Sequence, residues 1–242
     1  MESKRSLILQ WIEQGALKKE QAEEIFTALG ISPDGMRWRN FIETLLLWLG
    51  GLALAFSMMF FIAYNWDAMG RFAKFALVQF FIIVCVAAYW KLDVDKVTAK
   101  VSLMMATILL GVLLALYGQT YQTGADTWQL FANWALLMLP WALLARFAVI
   151  WLTWIVLLNI SIVLYFKTLG SFFWFVFDSV DHVFWLLFIF NSLAWLVWEI
   201  AARRLVWLRE RWAVWLIAVA SGSAITILVL IAIFDKHHSE VL

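Results

Sequence analysis

Seven apolar runs, each close to the length that crosses a bilayer, dominate this chain of 242 residues. They lie at roughly Phe41–Trp66, Phe72–Trp90, Val101–Gly118, Leu130–Ala145, Phe147–Phe166, Val183–Ala202 and Trp212–Phe234. About 20 apolar residues are enough for a helix to cross the hydrocarbon core. In lipid, a lone segment meets its backbone hydrogen-bonding needs only as a helix. The runs therefore predict an all-α polytopic membrane bundle of about seven transmembrane helices. With 65% hydrophobic and 14% charged residues, little of the chain is left for water. The fourth run is short, contains Pro140, and joins the fifth through little more than Arg146, which predicts a tight hairpin.

Basic residues orient the bundle. With the N-terminus inside, fourteen Lys and Arg fall on the cytoplasmic side and four, Arg71, Lys74, Lys167 and Lys236, on the other. This asymmetry predicts an N-in, C-out topology. Glu43, Lys74, Arg146 and Glu199 all lie near predicted helix ends, where each is expected to reach an interface. Trp66, Trp90, Trp128, Trp207 and Trp212 also lie near span ends and are expected to anchor at headgroup level.

Residues 1–36 form a separate cytoplasmic unit ahead of a transmembrane domain at 37–242. Leu7, Ile8, Trp11 and Ile12 share one helical face, and Gly15 interrupts it. Ala22, Ile25, Phe26 and Leu29 share a second face that ends at Gly30. Two short amphipathic helices make an αα-hairpin too small to hold much core of its own. Trp11, Ile12, Ile25 and Phe26 are thus candidates for docking a protein partner. The segment 31–35 reads as a linker, with turn chemistry at Pro33 and Gly35. Residues 170–181, rich in aromatics but carrying two acids, are expected along the outer interface.

One polar island interrupts the oil: Tyr117-Gly118-Gln119-Thr120-Tyr121-Gln122-Thr123-Gly124-Ala125-Asp126-Thr127-Trp128-Gln129. Two readings compete for it. In the first it only ties helix ends together, with Asp126 and Gln129 close to a capping box and Gly124 permitting the turn. In the second it is an outward-facing pocket in which Tyr117, Gln119, Tyr121, Gln122 and Asp126 contact a ligand or partner. Asn159, Ser161, Asn191 and Ser192 lie deeper and are expected to hold helices together. Ser221-Gly222-Ser223, with Ala218, reads as a small-residue packing face.

Catalytic signals are lacking. There is no His-Glu-x-x-His, no Gly-x-Ser-x-Gly and no phosphate loop, and His182 and His237-His238 do not make a metal set. We therefore expect no catalytic residue, no metal and no cofactor. The single cysteine, Cys85, excludes an internal disulfide. A formal net charge of +1 and the absence of a basic recognition face argue against nucleic acid as a partner.

Two stretches carry a family resemblance. Ile8-Leu9-Gln10-Trp11-Ile12-Glu13-Gln14-Gly15-Ala16-Leu17 followed by Glu20-Gln21-Ala22-Glu23-Glu24-Ile25 resembles the opening of a bacterial membrane-protein family catalogued as domain of unknown function 2157. The island matches the same family at Gly118, Gln119, Tyr121, Gln122, Gly124, Ala125 and Asp126, and Leu130, Phe131, Trp134, Ala135 and Leu136 follow in like pattern. Lys18-Lys19 departs from it, since relatives often start the second helix with Thr or Ser and Pro. The resemblance implies a multi-pass protein of the bacterial inner membrane and carries no activity. The expected function is a non-enzymatic component of a membrane assembly, its lipid contact extensive and its hairpin docking a partner. The alternative is a carrier or channel-like transporter of a small solute, with segment 117–129 as its outer vestibule.

Overall fold

The computed structural model describes residues 4–15, 25–26, 35–169 and 181–239. All its regular structure among these residues is helical. Helix α1 is Lys4–Glu13 and α2 is Gly35–Tyr64. There follow α3 (Arg71–Lys91), α4 (Val97–Tyr121), α5 (Thr127–Leu144) and α6 (Ala148–Leu169). A third group holds α7 (Asp181–Arg204), a single 3₁₀ turn at Val206–Leu208, and α8 (Arg211–Ser239). By length and composition six of these, α2, α3, α4, α6, α7 and α8, can cross a membrane. Helix α5, at 18 residues and diluted by Gln129, Asn133 and Pro140, is not in that set.

The chain divides into two units, residues 1–51 and 52–242, with the division falling inside α2 just after Gly51. In the first unit, Gly15 (φ +69°) ends α1, its N–H donating to the Ile12 carbonyl. A left-handed residue stops a helix at this position, and glycine adopts that conformation at no steric cost. Trp11 is exposed, while Ile12, Ile25 and Phe26 are half-buried and the last two are helical. Most of the expected second helix, with Ala22, Leu29 and Gly30, lies outside the described residues. So do residues 31–34 of the expected linker and residues 170–180 of the aromatic segment. Gly35 belongs to α2, so the first long helix begins six residues before the apolar run at Phe41. Arg39 and Glu43, one turn apart on α2, form an exposed ion pair at 2.8 Å.

The second unit is built from hairpins of consecutive helices: α3 with α4, α5 with α6, and α7 with α8. Short connections make sequential helices antiparallel neighbours. The α5–α6 turn is only Ala145-Arg146-Phe147, so the tight hairpin read from Pro140 and Arg146 is present. Helix α4 is the most enclosed, with half of its most apolar stretch buried. One core gathers Ile62 of α2, Val78 and Cys85 of α3, and Ala106, Leu109 and Leu116 of α4. Another joins Ile155 of α6, Trp198 of α7 and Ala213, Val214 and Ile217 of α8.

Polar side chains in lipid must find partners inside the protein, and here they link helices. Asn159 and Asn191 exchange amide hydrogen bonds across α6 and α7 (3.1 and 2.6 Å). Each also donates to a carbonyl one turn back, on Ile155 and Leu187. Ser192 and Ser221 pair at 2.8 Å between α7 and α8, and the Ser161 hydroxyl donates to the Trp128 carbonyl at 3.1 Å. The four deep polar residues thus clamp helices, as expected.

Two expectations need correction. Lys74 does not extend into water as a snorkelling side chain would: it is 5% exposed, its Nζ 3.5 Å from the centroid of the Trp66 ring. Trp66 thus covers a buried ammonium, as a ring face attracts a desolvated cation. On α8 the packing residue is Ser221; Ala218 and Gly222 are exposed, and a Cβ at Gly222 would meet open space. Within the chain, only Ser221 of the expected small-residue packing face is packed.

Candidate polar cavity at the α4–α5 turn

Helix α4 runs past Gly118 to Tyr121, carrying the first part of the island on its last turn. It stops at Gln122, which adopts a left-handed conformation (φ 45°, ψ 49°). Gly124 (φ +64°) turns the chain again, in the role its type suggested, and α5 starts after Asp126. A non-glycine side chain held in the left-handed region carries strain, and such strain persists only where its surroundings enforce it. Gln122 is the one such non-glycine residue among those described.

The capping box read from Asp126 and Gln129 is not formed. The Asp126 side chain makes no cap hydrogen bond; the Gln129 N–H donates instead to the Asp126 carbonyl at 3.0 Å. The backbone has closed the first turn by itself, which leaves the carboxylate uncommitted.

Between the end of α4 and the start of α5 lies a cavity of about 550 Å³. Tyr117, Gln119, Gln122 and Asp126, expected as contacts, all line it. Tyr121 does not; its ring lies against Phe75 of α3 (centroids 6.0 Å) and Tyr117 (5.0 Å), which makes it a support. Gln129, the last residue of the island, and Asn133 of α5 also line the cavity; Asn133 was hidden in the sequence among apolar neighbours. Their positions one turn apart on a helix, and within the first two turns of α5, were the available signal. Among the described residues, the side chains of Gln119, Gln122, Asp126, Gln129 and Asn133 form no hydrogen bonds with one another or with the backbone. No Lys, Arg or His lines the cavity.

Leu114, Ala115 and Leu130 make its apolar lining. One turn deeper, Trp134 fills the space between α4 and α5. Its ring lies so close to Gly111 that a Cβ there would come within 2.5 Å of it. Its indole N–H donates to the Thr107 carbonyl at 2.8 Å, while the Thr107 hydroxyl bonds back to Leu103. Gly111 is thus required by a side chain lying on the α4 backbone. The next carbonyl along α5, that of Ala135, accepts from Trp154 of α6 at 3.0 Å. The tryptophans below the cavity lock three helices together.

Several apolar membrane-length helices, joined in hairpins and clamped by buried amides and indoles, define a polytopic helical membrane protein. Its lipid contact follows from the long apolar faces left exposed on α2, α7 and α8. A family model described as predicted membrane protein (DUF2157) matches residues 9–151, and the chain belongs to that family. The match takes in the second half of α1 and the whole cavity, and ends as α6 begins. Among curated proteins and among solved structures nothing matches the chain.

Proposed function

We propose that this protein is a non-enzymatic component of an assembly in the bacterial inner membrane, oriented N-in and C-out. The α4–α5 cavity faces outward and holds a polar ligand, while the N-terminal segment docks a cytoplasmic partner. The observation that carries the reading is the form of the cavity: polar side chains without internal partners above a floor closed by Trp134 on Gly111. A carrier would need a polar path from the island toward mid-membrane, and the packing beneath the cavity weighs against one. The half-exposed Trp11 ring fits a docking role for residues 1–34, since aromatic side chains are favoured at the centre of interfaces.

The test is purification in mild detergent of the full chain and of a version lacking residues 1–34, which leaves α2 whole. A stoichiometric partner present with the first and lost with the second is expected. A well-folded full chain that purifies alone from its native membrane would argue against the assembly, and solute uptake in vesicles would then be measured.

A further inference from the structure

We propose that the α4–α5 cavity recognises a neutral, hydroxyl-rich ligand, a sugar ring either free or carried as a lipid headgroup. This rests on the reading of the cavity as a binding site and names what it takes. Four carboxamides, on Gln119, Gln122, Gln129 and Asn133, line it together with one carboxylate, Asp126. A carboxamide offers a donor and an acceptor side by side, which matches neighbouring hydroxyls that both give and take hydrogen bonds. Gln119, Gln122, Asp126 and Asn133 are exposed and none of the five is paired within the described protein, so a ligand would exchange their bonds to water for bonds to itself rather than break an internal one.

Charge narrows the class further. With no basic side chain in the lining, a phosphate or carboxylate ligand would meet Asp126 with no cation to offset it. The start of α5, with its unpaired N–H groups, adds a partial positive charge beside that single carboxylate. That offsets about half of the carboxylate's charge, leaving the site weakly negative and still unfavourable to an anion. Tyr117, 52% exposed and braced by the Tyr121 ring, supplies a flat apolar surface of the kind a sugar's C–H face covers. At about 550 Å³ the space falls in the range of small-molecule sites, roughly 300–1,000 Å³.

The test uses full-length protein in nanodiscs, with Thr123→Cys on the cavity wall in a Cys85→Ser background. Maleimide labelling is followed with neutral disaccharides, a neutral hexose glycolipid, a hexose phosphate and spermidine as probes. A neutral sugar at about ten times its Kd should slow labelling about ten-fold, saturably. Gln119→Leu with Gln122→Leu should remove that protection, and Asp126→Asn should keep part of it. Protection by glycolipid and free sugar alike places recognition in the ring; protection by glycolipid alone makes the source a membrane lipid. Protection by hexose phosphate or spermidine but not by neutral sugars overturns the sugar assignment and leaves the cavity a binding site. Protection by none overturns both. Calorimetric titration of the unsubstituted chain with the same probes separates the same outcomes if the cysteine variant does not fold.

Discussion

At the scale of single residues, close contacts with a neighbour decide which side chain a position accepts. Gly111 is the clearest case, because any larger residue meets the Trp134 ring. Gly111→Ala should destabilise the protein by about 1–3 kcal/mol, the usual cost of overpacking, read as a fall in the melting temperature in detergent. The Asn159–Asn191 pair should show a coupling of about 0.6–1.7 kcal/mol in a double-mutant cycle with alanine, the range found for such bonds in membranes. A coupling near zero would mean that the two amides find other partners. Lys74 offers a contrast. Lys74→Met removes both a buried charge and its ring contact, so stability should change by less than about 1 kcal/mol. Trp66→Ala leaves the ammonium buried without its cover and opens a cavity, and should cost about 3 kcal/mol or more in the same melting assay.

At the scale of elements, much of the architecture was legible and the reasons can be named. Apolar length marked the helices because a bilayer permits little else, and the Pro140–Arg146 spacing marked the α5–α6 hairpin. Asn159, Ser161, Asn191 and Ser192 read as clamps because a lone amide or hydroxyl in lipid must find a partner. What stayed hidden depends on three-dimensional neighbours. Lys74 reads as a helix-end charge in sequence, yet Trp66, from the preceding loop, covers it. Asp126 has the type and spacing of a cap; whether a side chain or the backbone closes the turn depends on geometry. Tyr117 and Tyr121, four apart, look equivalent, yet one lines the cavity and the other packs toward Phe75. Helix α5 remains the element on which the number of crossings depends. Seven crossings put Thr123 and Arg146 on opposite sides of the membrane. In intact cells, Thr123→Cys should label with an impermeant maleimide and Arg146→Cys should not; labelling of both would mean that α5 does not cross.

At the scale of the whole molecule, two regions within the family-matched stretch and its N-terminal flank carry different parts of the proposed role. In that proposal the cavity between α4 and α5 is the external site, and residues 1–34 are the internal one. The claim that joins them is that this protein works as part of an assembly. The most direct measurement is the paired purification, from native membranes, of the full chain and of the version lacking residues 1–34, with stoichiometry read by mass spectrometry. One partner at fixed ratio is expected with the full chain and its loss from the truncated one, with the fold of both intact. A folded full chain recovered without a partner, or a partner retained equally by both, would contradict the assembly role.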